Sequence, residues 1–121
     1  MTRYEMEERV IDFAVLVNKI ADSLGTSKRA LYYADQIVRS SSSAALNYGE
    51  SMSAESKKDF IHKTKVALKE LRETYIALRI IQRLNLCRQE ELNKRACEEN
   101  NELISILVKT IQTSQRKLNQ Q

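Results

Sequence analysis

Apolar residues recur three and four positions apart in four stretches of the chain, the spacing that gathers side chains onto one face of an α-helix. The first stretch, from about Tyr4 to Ser23, places Val10, Phe13, Ala14, Val17, Ile20, Ala21 and Leu24 on one side. Gly25 ends it, since glycine takes the left-handed conformation of a helix C-cap at little cost, and Thr26 or Ser27 is placed to cap the next helix. The second stretch, about Lys28 to Ser51, carries Ala30, Ala34, Ile37, Ser41, Ala44 and Tyr48 in one stripe, with Leu31, Val38 and Ala45 beside it. Small side chains dominate that stripe. The run Ser40 to Ser43 has the composition of a linker, but Ile37 and Val38 before it and Ala44, Ala45 and Leu46 after it keep helical phase. The run is therefore expected to be helical and to let a neighbouring helix come close. Gly49 reads as a left-handed cap near the end of this helix, with Asn47 or Glu50 satisfying stray backbone amides.

Ser53 and Ser56 offer caps for a third helix, about Ala54 to Asn85, the longest and most regular of the four. Phe60, Ile61, Thr64, Ala67, Leu68, Leu71, Thr74, Tyr75 and Leu78 form its core face. A break around Asn85 to Arg88 leads to a fourth helix, about Gln89 to Leu118, with Leu92, Ala96, Leu103, Ile106, Leu107 and Ile111 inward and a fraying tail from Asn119 to Gln121. Short connections make successive long helices antiparallel, so the pattern predicts an all-α protein, an up-and-down antiparallel four-helix bundle forming one domain over residues 1–121.

Composition narrows the class further. There is no proline, Gly25 and Gly49 are the only glycines, and Leu, Ala, Glu, Lys, Arg and Gln abound, which leaves too few turn residues for a sandwich or barrel. With 121 residues the chain can build a hydrophobic core without disulfide or metal. Cys87 and Cys97 are too far apart for a redox or zinc pair and read as reduced thiols. Glu5, Glu7 and Glu8 stand where a signal peptide would be basic and then apolar, and no stretch has the length of a membrane span, so a cytoplasmic protein with no membrane partner is expected. The net charge of +4 permits RNA, DNA or an acidic protein partner and requires none of them.

From Gln36 to Ile81 the chain reads QIVRSSSSAALNYGESMSAESKKDFIHKTKVALKELRETYIALRII. The small-residue run leading to Asn47, Gly49 and Glu50, then Ser56, Asp59, Phe60, His62 and Lys63, then Ala67 to Glu70 and Arg72 to Thr74, resemble the family of 23S rRNA intervening-sequence proteins. The chain departs from many relatives in lacking prolines before the second helix and ahead of Asn47. The resemblance implies an up-and-down bundle assembled as a ring-like homopentamer, with no established catalytic activity. Some relatives are encoded inside ribosomal RNA genes. A related group looks like the accessory protein of diversity-generating retroelements, which binds nucleic acid and a reverse transcriptase.

Two constellations carry functional expectations. At about 100° per residue, Lys58, His62, Lys65, Lys69, Arg72, Arg79 and Arg83 share one stripe of the third helix beside its core face, while Asp59, Glu70 and Glu73 fall on the far side. Lys65 and Lys69, four apart, repel slightly, and Glu73 is placed to neutralise Lys69. Such a stripe is a phosphate-binding track for RNA or DNA, or else a solvated face paired with glutamates of a neighbouring helix such as Glu98, Glu99 and Glu102. No aromatic residue interleaves it to stack on bases. The second constellation is apolar: Ile76, Ile80 and Leu84, with Val66 and Ala77 nearby, project away from the core arc, and Ile104, Val108 and Ile111 widen the apolar arc of the fourth helix. A lone bundle cannot bury both sides of the third helix, so these residues predict a subunit interface, the alternative being a broad core face.

Catalysis and cofactors find little support. His62 is the only histidine, and with Asp59 it gives a single acidic residue and histidine on one helix, where di-iron bundles need such pairs on two helices and further inward glutamates. Neither cysteine has a histidine partner by spacing, and no glycine-rich phosphate loop exists. Tyr32, Tyr33, Tyr48 and Tyr75 read as edges of the core and of an interface. The sequence thus leads to a non-enzymatic homo-oligomer associating with RNA or DNA, or alternatively to a protein-interaction scaffold or accessory subunit that does not touch nucleic acid.

Overall fold

A computed structural model describes all 121 residues, Met1 to Gln121. Four helices follow one another: α1 (Arg3–Asp22), α2 (Lys28–Ser51), α3 (Lys57–Arg83) and α4 (Glu90–Asn119). Local chemistry sets most of their ends. The Thr2 hydroxyl accepts the Glu5 N–H (3.1 Å) while the Glu5 carboxylate accepts the Thr2 N–H (2.8 Å), a reciprocal cap that satisfies two amides at the start of α1. Ser27 accepts the Ala30 N–H (3.1 Å) at the start of α2, and Ser56 accepts the Asp59 N–H (3.0 Å) at the start of α3. Because Ser56 takes that role, α3 begins three residues later than the hydrophobic pattern suggests, at Lys57 rather than Ala54.

Gly25 has φ +92°, as expected of a helix-ending glycine. Gly49 does not. The helix runs through it to Ser51 with Met52 as a right-handed C-cap, because Tyr48 and Ser51 are both buried and continuing the helix keeps them so. Asn47 serves its own helix instead of an end, donating to the Ser43 carbonyl at 2.9 Å. The other left-handed residue is Asn85, φ 55°, between α3 and α4. Around it the Leu86 N–H bonds the Ile81 carbonyl and the Asn85 N–H bonds the Gln82 carbonyl, both at 3.1 Å, the paired pattern that closes a helix when a short polar residue replaces glycine.

Each helix packs on the next, and α4 returns against α1 along the loosest of the four seams, so the topology is the predicted up-and-down bundle. Val10, Phe13, Val17 and Ile20 of α1, Ile37 and Ala44 of α2, Leu71, Leu78 and Ile81 of α3, and Leu103 and Leu107 of α4 fill the centre. A smaller cluster of Phe60, Ile61 and Ile111 closes the end where α3 begins. The serine run is helical, and Ser40 and Ser41 are buried. Thr74 donates to the Glu70 carbonyl at 2.9 Å, so in the 2.6 Å contact between the two hydroxyls Ser40 is the donor and Thr74 the acceptor. Two small polar residues satisfied by one another let α2 and α3 approach closely.

The inward face of α4 differs from the pattern reading. Asn93 and Asn100 are fully buried, whereas Leu92 and Ile106 are only half-buried. Asn100 directs its amide at the backbone of α3, Nδ2 donating to the Leu71 carbonyl and Oδ1 accepting the Tyr75 N–H, both at 3.0 Å. One heptad earlier on α4, Asn93 donates to the Leu78 carbonyl, one heptad later on α3, through a long 3.5 Å bond. Two polar rungs in an apolar seam fix how α3 and α4 are aligned, since sliding either helix would leave buried amides without partners.

Candidate functional site

The outer face of α3 carries every member of the expected stripe. Lys58, His62, Lys65, Lys69, Arg72, Arg79 and Arg83 are all exposed. None of the lysines or arginines among them forms an ion pair within the chain. Of the three α4 glutamates placed to pair with the stripe, Glu98 is exposed and forms no ion pair, and the other two turn to α1. Glu99 and Glu102 of α4 are both held by Arg9 of α1, at 2.7 and 2.9 Å, Glu99 also accepting from Arg9 Nε at 2.8 Å. The Glu99 hydrogen bond in particular holds the Arg9 guanidinium above its ordinary value, although burial opposes it.

Glu70 and Glu73 likewise face α2, where Arg39 bonds them at 3.2 and 2.6 Å. The expected Lys69–Glu73 pair is therefore not made: Glu73 belongs to an interhelical tie rather than to its own helix. Lys63, which is not part of the stripe, is tied as well. It reaches Glu50 at the end of α2 at 2.7 Å, and that bond holds its ammonium above the usual value. Arg9, Arg39 and Lys63 thus tie five glutamates along the α1–α4 and α2–α3 edges and leave the crest of α3 cationic.

The crest divides along its length. From Lys58 to Arg72 its exposed positions are polar or charged, and Lys65, Lys69 and Arg72 border a shallow groove against α4 floored by Leu68, Val108 and Ile111. Beyond Arg72, apolar residues enter. Ile76 is 51% exposed and Leu84 39% exposed, and Ile80 between them is half-buried. On the α2 side Ile76, Ala77 and Ile80 join Tyr32 and Tyr33 around an open groove of about 470 Å³. Tyr32, 58% exposed with its ring edge-on to Tyr33 at 5.1 Å, widens the apolar surface beyond α3. On the α4 side the Arg79 guanidinium lies over the Tyr75 ring, 5.5 Å from its centroid, which steadies one cation of the second half.

The remaining interface candidates separate. Ile104 is half-buried against the main core, Val108 is half-buried at the mouth of the α3–α4 groove, and Ile111 is buried with Phe60 and Ile61. Of the apolar set, Ile76 and Leu84 are exposed, and Ile80, Ile104 and Val108 are half-buried. No helix is long and apolar enough to cross a membrane.

Comparison with solved structures finds the same bundle in a protein of unknown function from the S23 ribosomal protein family of Bacteroides thetaiotaomicron, with a TM-score of 0.78 and 28% identity over 88% of this chain and 97% of that one. No curated protein matches the chain. The family model for 23S rRNA-intervening sequence proteins matches residues 3–109, which takes in all of α1, α2 and α3 and most of α4; the chain belongs to that family.

Proposed function

We propose that the protein is a non-catalytic homo-oligomer that associates with RNA or DNA through the crest of α3. The observation that carries this reading is the unpaired state of Lys58, Lys65, Lys69, Arg72, Arg79 and Arg83, while Arg39 holds Glu70 and Glu73 and Arg9 holds Glu99 and Glu102. Phosphates supply the missing counter-charge, and each cation that meets one releases condensed counterions, so affinity comes from the track as a whole. Ile76, Ile80 and Leu84 bury themselves against another subunit, with Ile104 and Val108 at the margin of that contact. In this arrangement Lys58 to Arg72 face the nucleic acid and Arg79 and Arg83 stand at the rim of the subunit contact. The ring-like pentamer that the resemblance implies repeats the track around a symmetry axis and sums its field.

The test is direct. At low salt the protein should retain labelled RNA or DNA, and Lys65→Glu/Lys69→Glu/Arg72→Glu should abolish retention while leaving the thermal melt unchanged. Retention that survives the triple variant refutes the track. Ile76→Asp/Ile80→Asp should convert an assembly into particles of the 14.0 kDa chain mass, and a wild type already at that mass when concentrated refutes the interface.

A second reading makes the protein a scaffold or accessory subunit, for example of a reverse transcriptase, without nucleic acid contact. The groove of Tyr32, Tyr33, Ile76 and Ile80 favours it, since exposed aromatic and aliphatic surface suits a protein partner. One co-purifying protein and no bound nucleic acid would select this reading.

A further inference from the structure

At the end of the bundle where α1 begins and α4 approaches its close, a pocket of about 410 Å³ opens between these helices. It shares no residue with the crest of α3. It is an open cleft rather than an enclosed cavity. Arg3, Lys109 and Lys117 line it, no carboxylate does, and none of the three cations forms an ion pair in the chain. The Arg3 guanidinium lies over the Phe60 ring at 4.6 Å from its centroid, which holds it in place while leaving its N–H edge unclaimed.

Tyr48 makes the site more than a cluster of surface charge. Its side chain is buried, 3% exposed, and it lines this pocket. Its hydroxyl has no hydrogen-bond partner in the chain and is not fully buried, so this lining residue keeps a free hydroxyl with some accessibility. Burial pushes the phenol up from its ordinary value, with Arg3 pulling it down and Glu7 pushing it up, and it therefore stands as a donor. Glu7 itself lies outside the pocket wall, turned toward Gly49, where an added Cβ would meet its Oε2 at 3.6 Å. Thr113 and Ser114 add two hydroxyls with no partner in the chain, whereas Thr110 spends its proton on the Ile106 carbonyl at 2.9 Å.

Three unpaired cations, a buried phenol donor and two free hydroxyls suit a dianion better than a single carboxylate. Met6, Phe60 and Ile106 supply an apolar wall that a bare inorganic anion would leave unused. We propose that this pocket binds a phosphomonoester on an apolar or flat body, either a free nucleoside monophosphate or the phosphorylated end of a nucleic-acid strand. The proposal does not rest on the crest of α3, and the two can fail separately.

The experiment is isothermal titration of the full chain at low salt with AMP, adenosine and inorganic phosphate, then with one short oligonucleotide bearing either a 5′-phosphate or a 5′-hydroxyl. AMP should bind more tightly than adenosine or phosphate alone. Lys109→Glu/Lys117→Glu, two exposed positions, should weaken AMP by more than about tenfold, and Tyr48→Phe should weaken it by about three- to tenfold without lowering the thermal midpoint. If the natural source is a strand end, the 5′-phosphate should favour the oligonucleotide in the wild type and lose that advantage in the Lys109→Glu/Lys117→Glu variant. If the source is a free nucleotide, AMP responds to the pocket variants and the two oligonucleotides bind alike. AMP binding no tighter than adenosine overturns the proposal. So does AMP affinity that ignores the pocket variants but falls in Lys65→Glu/Lys69→Glu/Arg72→Glu.

Discussion

Asn100 is the residue whose replacement tests the packing most sharply. It is 0% exposed, and its amide spans the Leu71 carbonyl and the Tyr75 N–H, two groups that one turn of α-helix would normally join to each other. Asn100→Ala removes two hydrogen bonds worth about 1 kcal/mol each and leaves dry any backbone group that does not re-form its turn, at about 1–3 kcal/mol. Backbone closure lowers the cost and the void left by the amide raises it, which places the loss at about 2–4 kcal/mol. In a domain of this size that corresponds to a fall in the thermal midpoint of roughly 8–16 °C. Wild type and variant must be melted at equal protein concentration, because any self-association would add to apparent stability.

Asn100→Asp separates hydrogen bonding from mere filling of space. A protonated carboxyl has one donor and one acceptor, so it can repeat both contacts of the amide, whereas a carboxylate cannot donate to Leu71 and would be a buried, unpaired charge. Burial raises the carboxyl's folded-state pKa above its unfolded value of about 3.9. Its contribution is thus fully present below about pH 4 and is lost as pH rises, at up to about 1.4 kcal/mol per pH unit until the folded-state pKa is passed. Chemical denaturation at pH 4.5 and 7.5, each referred to the wild type at the same pH, should show a gap that widens by several kcal/mol. An equal gap at both pH values, or an Asn100→Ala loss below about 0.5 kcal/mol, would refute the account of the rung.

Arg39→Ala should cost only about 0.5–1 kcal/mol although it breaks two ties, because its side chain is 47% exposed and water and salt screen the pairs; the loss should shrink further at 1 M salt in a denaturation series. Gly25→Ala should cost about 1–2 kcal/mol by strain alone, since φ is +92° and no atom lies within 4 Å of an added Cβ; Gly25→Asn should lose less. Burial pushes the Cys97 thiol up, only partly countered by Arg79, so the stability it contributes is intact below the ordinary thiol pKa and is lost as pH rises beyond it. The stability of the wild type should therefore fall relative to Cys97→Ala in alkaline buffer, and alkylation of Cys97 near neutral pH should be slower than that of a free thiol.

What the sequence made legible follows from where a single period governs. Phe13, Val17, Leu71, Leu78, Leu103 and Leu107 are buried as the three-four spacing predicts, and the serine run of α2 stayed in helical phase because Ile37 and Ala44 bracket it with core positions. Spacing failed where a polar residue is inward. Asn93 and Asn100 occupy core positions because their amides reach the α3 backbone, and nothing on α4 alone announces an acceptor on another helix. Gly49 failed for the related reason that composition proposes an end while burial of Ser51 decides against one.

The candidate site was legible as a face and illegible as a circuit. Helix periodicity alone places Lys65, Lys69 and Arg72 together on α3, yet whether they are free depends on Arg9 and Arg39, which lie on other helices and compete for the same glutamates. That competition is the physical content of the site. Because Arg39 holds Glu70 and Glu73, and Arg9 holds Glu99 and Glu102, the crest stays cationic although Asp and Glu together number 16 against 20 Lys and Arg. Removing Arg39 should therefore release Glu73 toward Lys69, its neighbour one turn earlier, and weaken any phosphate contact of the crest without altering a crest residue.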